Sequence, residues 1–186
     1  TLARVNVLCV DKTGTITRPD MSVSDVVFLK DNVGKLIAGV AGNMDDDNET
    51  MKAIKDYYHI TDRDNSAERV YSFSSQNKYS GAVLDGRCYI FGAPEYVLLD
   101  TYAEYEDIFE RYSGHGERIL VFGECVGDPC GNIIEEAVNP YAFIILENEI
   151  RDTAKETFGY FASQGVDIVV ISGDNPVTAS KVAVRA

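Results

Sequence analysis

The chain has 186 residues, 45% of them hydrophobic, with 15 glycines, 5 prolines and no low-complexity run. That suffices for one generous core or two modest ones, and the whole length reads as folded. A formal charge of −13, from 30 acidic against 17 basic residues, repels phosphate backbones and excludes broad nucleic-acid binding. The longest apolar stretches, Ala142–Leu146 and Val166–Ser172, are strand-sized and far short of a membrane span.

In chain order, Val5–Val10 predicts a buried strand that delivers Asp11-Lys12-Thr13-Gly14-Thr15 at its C-terminal end. The chain opens at Thr1, with no initiator Met and no signal-peptide pattern, which reads as an excised piece of something longer. Strands are predicted at Val23–Leu29 and Lys35–Val40, then a solvated acidic loop at Asp45–Asp47 and a helix near Glu49–Tyr58. Further strands are predicted at Arg69–Phe73, Tyr79–Leu84 and Cys88–Phe91, the last two joined by an Asp85-Gly86 hairpin turn. Short helices at Pro94–Leu99 and Tyr102–Tyr112 precede strands at Ile119–Val126 and Ala142–Leu146. Asp152–Gln164 has helical spacing and stops at Gly165, and a second continuous apolar strand follows at Asp167–Ile171. It leads into Ser172-Gly173-Asp174-Asn175-Pro176, where the proline suits the first turn of a helix running through Val182.

Strand, helix, strand, helix at the two ends argues for a parallel sheet covered by helices. The alternating strands and tight turns between them argue for an antiparallel α+β unit inserted into it. Four cysteines (Cys9, Cys88, Cys125, Cys130) show no CxxC spacing and read as small, reduced hydrophobes. With His59 and His115 the only histidines, a zinc site is not supported.

Ligands of open α/β sheets bind beyond the carboxyl ends of the strands. Asp11 and Ser172-Gly173-Asp174 both fall there. A carboxylate so placed can attack a phosphoryl group and form an acyl phosphate. The chemistry needs a divalent cation and donors for the phosphoryl oxygens. Backbone N–H groups after Asp11 and near Ser172, with the side chains of Lys12 and Ser172, are the candidate donors.

Asp-Lys-Thr-Gly-Thr-Ile-Thr at 11–17 matches, residue for residue, the phosphorylation signature of P-type ATPases, and the chain resembles that family from Leu8 to Val184. The resemblance implies an α/β fold: an incomplete haloacid-dehalogenase-like (Rossmann-like) parallel sheet with an inserted α+β antiparallel-sheet nucleotide-binding domain. Its implied boundaries are 1–18 and 148–186 for the phosphorylation domain and 19–147 for the nucleotide-binding domain. It also implies that Asp11 accepts the γ-phosphate of ATP, with Mg²⁺ held by the Asp11 carboxylate and the Thr13 main-chain oxygen. Ser172-Gly173-Asp174 is similar to the family's Thr-Gly-Asp segment. The alternative is a haloacid-dehalogenase-like phosphatase with a large cap. Such phosphatases carry a second aspartate two positions after the nucleophile, as general acid/base. Thr13 stands there instead, so the aspartyl-phosphate should hydrolyse slowly, which suits a pump.

No GxxxxGK[ST] occurs, so ATP binding here is not of the P-loop type. Any nucleotide must be held by an aromatic platform and a few placed cations. Phe73-Ser74-Ser75-Gln76-Asn77-Lys78 fits the family's adenine-stacking Phe with a Lys five residues on, and Ser75 is assigned to the same site. Phe91-Gly92-Ala93-Pro94-Glu95 resembles the family's Lys-Gly-Ala-Pro-Glu motif, with Phe91 in place of the lysine. Gly92 and Ala93 would let adenine approach the backbone, while Phe91 either walls the pocket or is core. Glu49, in Asn48-Glu49-Thr50, either contacts the adenine side or merely favours the helix N-terminus on dipole grounds. Arg118 stands where the family places an arginine that reaches the nucleotide phosphates. Asn148-Glu149-Ile150-Arg151 aligns with the family's Asp-Pro-x-Arg hinge, of which Arg151 alone is intact.

The family's later Gly-Asp-Gly-x-Asn-Asp segment, its phosphoryl-contacting lysine and its transmembrane and actuator domains are absent from the 186 residues. The expectation is therefore a soluble piece from the cytoplasmic face of a membrane protein, turning over little or no ATP alone. The compact insertion and Val170–Ala179 resemble bacterial cation exporters, with calcium the candidate ion. Heavy-metal pumps fit less well, because neither His59 nor His115 precedes a proline.

Overall fold

A strand with no polar face needs cover on both sides. Ala142–Leu146 is such a strand, and the computed structural model provides that cover; it describes residues 5–45, 48–62, 64, 66–113 and 117–171. The strands are β1 (Val7–Asp11), β2 (Thr17–Phe28), β3 (Arg69–Tyr71), β4 (Tyr79–Leu84), β5 (Arg87–Gly92), β6 (Arg118–Glu124), β7 (Asn139–Ile150) and β8 (Asp167–Ile171). The helices are α1 (Val33–Asn43), α2 (Glu49–Tyr57), α3 (Pro94–Val97), α4 (Glu106–Ser113) and α5 (Ala154–Ser163), with a 3-10 segment at Leu99–Tyr105.

Six strands form an antiparallel sheet in the order β2-β7-β6-β5-β4-β3. Successive β7 residues alternate between its two faces. Ala142, Ile144 and Leu146 pack into a cluster with Ile37 and Val40 of α1 and Met51 and Ile54 of α2. Phe143 and Ile145 join a second cluster with Val97, Leu98 and Phe109 on the far side. The continuous apolar run is therefore an antiparallel strand with helices on both faces.

The strand expected at Lys35–Val40 is instead part of helix α1. Val33, Ile37, Val40 and Ala41 are all buried, and that spacing makes one helical stripe. A short apolar run bears either assignment, and sheet cover decided it. The Asp85-Gly86 hairpin is present, joining β4 to β5. Both residues are left-handed, with φ of 48° and 70°, the geometry a type I′ turn requires.

The second sheet pairs β1 with β8 in parallel, from Val7↔Asp167 to Asp11↔Ile171. One face buries Leu8, Val10, Ile168 and Val170 against Ala154 and Phe158 of α5. On the other, Val7, Val169 and Ile171 are exposed among the described residues. The architecture is a parallel α/β sheet interrupted by an antiparallel α+β unit. The helix expected after Pro176 lies outside the described residues.

Polar anchors hold the connections. Asn43 is 2% exposed; its Nδ2 donates to Gly39 O (2.8 Å) and its Oδ1 accepts from Ala67 N (2.9 Å). This ties the end of α1 to the approach of β3. Asp128 anchors the long β6–β7 connection to β3, accepting from Arg69 Nη1, Tyr71 OH and Cys130 N. All four cysteines are free; Cys88 is buried as a small hydrophobe, whereas Cys9 and Cys130 are exposed.

Burial opposes the charged form of Asp128, but the hydrogen bonds from Tyr71 and Cys130 and the Arg69 charge outweigh it. Its carboxyl is held below the usual carboxylate range. A depressed folded-state pKa contributes stability above the unfolded value, near 3.9, and that contribution is lost as pH falls through the folded value. Asp128→Asn should therefore be less stable than the parent at pH 7. The gap should narrow as the pH drops below about 4. Urea midpoints at pH 7, 5 and 3 measure it, and a gap that stays constant with pH excludes the linkage.

Candidate functional site

Two sites emerge, one at the end of each sheet. β1 ends at Asp11, which is exposed and stands opposite Ile171 of β8. The chain then enters a π-helical turn, Lys12–Ile16, with Gly14 at φ 77°. Arg151 secures this turn. Its guanidinium Nη2 donates to Gly14 O (2.8 Å) and its backbone N–H to Ile16 O (2.9 Å). Two carbonyls of the turn are thus drawn toward the exit of β7. Lys12 and Thr13 lie in this turn beside Asp11. Ser172, Gly173 and Asp174 lie outside the described residues; Ile171, which precedes them, is the register partner of Asp11.

The second site is a cavity of about 630 Å³ on the antiparallel sheet, beside the N-terminus of α2. Its size falls within the range of small-molecule sites. Strand register builds it. Ser80 of β4 pairs with Phe91 of β5, and Phe91 with Phe122 of β6. The residues just beyond these pairs bring Lys78, Ala93 and Arg118 to the same rim. Asn48 caps α2, its side chain accepting from Met51 N at 2.9 Å. That places Glu49 in the first turn and on the cavity wall. The dipole account of Glu49 and its position at the site hold together.

Phe73, just past β3, is 51% exposed and lines the cavity. Phe91 is 2% exposed, and its ring centroid lies 4.9 Å from that of Phe122. It is core and cavity wall at once. Lys78 closes the turn from Ser74, its N–H donating to Ser74 O at 2.9 Å. It does so at φ 61°, a left-handed conformation that costs a non-glycine residue about 1 kcal/mol or more. Its ammonium lies 5.7 Å from the centroid of the Tyr96 ring. Glu49, Lys78 and Arg118 are the charged groups on the wall. They make a locally positive site on a strongly acidic chain.

Of the seven residues singled out in sequence for this site, five line it: Glu49, Phe73, Lys78, Ala93 and Arg118. Ser75 and Gly92 do not. Ser75 is exposed in the turn before Lys78. Gly92 serves the far face, where a Cβ would meet Val97 Cγ1 at 2.4 Å. Close packing of α3 accounts for that glycine, not approach of a ligand. Met51, Ser80 and Leu120 also line the cavity without any sequence signal of their own. The β4–β5 register alone could have pointed to Ser80.

A family model described as a haloacid dehalogenase-like hydrolase matches residues 5–186. The chain is 38% identical over 184 residues to the calcium-transporting ATPase CtpE of Mycolicibacterium smegmatis, covering 98% of this chain and 23% of that protein. It is 34% identical over 194 residues to the probable cation-transporting ATPase exp7 of Streptococcus pneumoniae, covering 100% of this chain and 24% of that one. It therefore spans about a quarter of the length of these curated relatives. A zinc-transporting PIB-type ATPase in its E2.Pi state superposes with a TM-score of 0.68 at 19% identity, over 99% of this chain and 28% of that one. The catalytic domain of the CPx-ATPase CopB-B gives 0.61 at 14% identity, over 98% of this chain and 57% of that one. At such identities the two structures speak for the fold.

The packing account of Gly92 separates two glycine substitutions. Gly92→Ala forces Val97 to shift and should cost about 1–3 kcal/mol. Gly159→Ala, in α5 with nothing within 4 Å of the new Cβ, should stabilise by about 0.5–1 kcal/mol. Urea titrations of both variants decide the matter, and an unaffected Gly92→Ala would refute it.

Proposed function

Because the chain belongs to the haloacid dehalogenase-like hydrolase family, we propose that it is the ATP-binding and phosphorylation region of a cation-transporting P-type ATPase. The observation that carries this reading is Asp11, exposed at the carboxyl end of a parallel strand on the Arg151-held turn. One carboxylate oxygen of Asp11 attacks the γ-phosphorus of ATP in line. The bond from that phosphorus to the bridging oxygen breaks, and ADP leaves with the electron pair. The product is an acyl phosphate on Asp11. Lys12 and the Ser172-Gly173-Asp174 segment are the proposed partners of the phosphoryl oxygens.

The Asp11 carboxylate and Thr13 main-chain oxygen are hard donors suited to Mg²⁺, which would supply charge neutralisation at the phosphates. No group of three or more His, Cys, Asp or Glu able to hold a metal occurs among the described residues. Phosphate oxygens and water would complete such a coordination sphere, as Mg²⁺ usually requires.

The cavity is the proposed seat of the nucleoside. Phe73 stacks on the adenine, Phe91 and Ala93 form the floor, and Glu49 faces the base edge. Lys78 and Arg118 direct the phosphates outward, while Ser75 and Gly92 contribute through the segments they shape. In this reading 1–18 and 148–186 serve phosphorylation and 19–147 serves nucleotide binding. The partners are transmembrane and actuator portions of the same chain, and the site faces the cytoplasm. No helix among the described residues is long and apolar enough to cross a membrane. Calcium is the proposed ion, from the likeness to CtpE.

Two measurements test the proposal. Full-length protein given γ-labelled ATP should form an acid-stable phosphoenzyme that Asp11→Asn abolishes; label persisting in that variant would overturn the mechanism. Phe73→Ala should weaken nucleotide binding by about five- to 150-fold, given roughly 1–3 kcal/mol per stacked base. Isothermal titration of parent and variant with ATP reads the difference, and equal affinities would remove Phe73 from the site.

A further inference from the structure

At the other end of β5 and β6 from the nucleotide cavity, two cysteines face one another across the ladder. The β5–β6 register pairs Tyr89 with Glu124, and the Cys125 N–H continues it, donating to Cys88 O at 2.9 Å. Directly opposed residues of an antiparallel pair point to the same face. Both side chains accordingly pack into the same apolar cluster. Both also line a small cleft of about 330 Å³, whose other walls include Arg69, Arg87 and Asp128.

We propose that Cys88 and Cys125 form an oxidisable dithiol, converted to a cross-strand disulfide by small hydroperoxides. A directly opposed, hydrogen-bonded pair sets its Cα atoms about 5.5 Å apart, inside the range a disulfide spans without backbone movement. The neighbouring Cys125 thiol lowers the pKa of Cys88 against the opposing effect of burial. Cys88 in turn raises that of Cys125. Of the two, Cys88 is thus the sulfur that loses its proton first. Across the cleft the Asp128 charge opposes a Cys88 thiolate and the Arg69 charge favours it, so the strand register carries the proposal.

The chemistry balances with hydrogen peroxide as oxidant. The Cys88 thiolate attacks one peroxide oxygen, the O–O bond breaks, and the departing hydroxide takes a proton to leave as water. The Cys125 sulfur then displaces the hydroxyl from the resulting sulfenic acid, forming the S–S bond and releasing a second water. Two thiols and one peroxide become one disulfide and two waters. The product staples β5 to β6 at the end away from Phe91 and Arg118, so the inference stands apart from the nucleotide reading.

The test uses the unmodified chain. After treatment with hydrogen peroxide, remaining thiols are blocked with N-ethylmaleimide and the protein is cleaved on the N-terminal side of aspartates. Cleavage before Asp128 separates Cys125 from Cys130. The expected result is a Cys88 peptide joined to a Cys125 peptide, two hydrogens lighter than their sum and released by dithiothreitol. Cys125→Ser should remove the joined species. Cys88 joined to Cys130 instead would overturn the proposal. So would recovery of Cys88 and Cys125 as maleimide adducts after the exposed Cys9 and Cys130 have oxidised.

Discussion

The ladder between β2 and β7 is the constraint on which both sites depend. Each strand is twelve residues long, and they pair from Thr17↔Ile150 at one end to Phe28↔Ala142 at the other. The ladder lies in the antiparallel sheet that carries the cavity, and one of its ends adjoins the turn after Asp11. Its register slips between Thr17 and Met21 and again between Val23 and Asp25. Such bulges bend and twist a strand. At the first slip Asn148 Nδ2 donates to Asp20 O at 3.2 Å. Arg18 pairs with Asp152 at 2.8 Å, but both side chains are largely exposed, and pairs of that kind contribute little. Backbone pairing and the cluster beneath it, not surface charge, keep the two sheets joined.

From that ladder the turn after Asp11 inherits its shape. A π-helical turn directly after a strand leaves carbonyls in want of partners. Arg151, at the exit of β7, answers two of them, one through its guanidinium and one through its backbone. The residue that leaves one sheet thereby braces the turn that leaves the other. In sequence Arg151 is the intact member of an otherwise altered hinge motif; in space it is a clamp on the Asp11 turn.

The cavity shows how an acidic protein can hold a locally positive, largely apolar pocket. Phe73, Phe91, Leu120 and Met51 supply apolar wall, while Lys78 and Arg118 exceed Glu49 by one charge. Nothing in the overall field draws phosphate in. Positive charge is confined to Lys78 and Arg118 on an otherwise largely apolar wall. Phe91 joins the two functions physically: the ring that lines the cavity also packs on Phe122 in the core.

Local chemistry made much of this molecule legible from its residues. Asp85-Gly86 specified a turn because adjacent left-handed positions suit Asn, Asp and Gly, and β4 and β8 run over the predicted residues because nothing competes for them. Asp11-Lys12-Thr13-Gly14-Thr15 announced its place at a strand's end for the same reason: an apolar run followed by a glycine turn has few other shapes. Lys35–Val40 is ambiguous in sequence because so short a largely apolar run satisfies either period, and only the face of the sheet it covers chose the helix. The purpose of Gly92 stayed hidden because Val97, which it makes room for, touches it through the fold of α3. Ser80, Leu120 and Met51 were invisible as site residues because their types declare no chemistry. The sequence determined which residues carry charge, ring and nucleophile; tertiary structure alone decided which of them meet, because strand register brings together residues that sequence distance keeps apart.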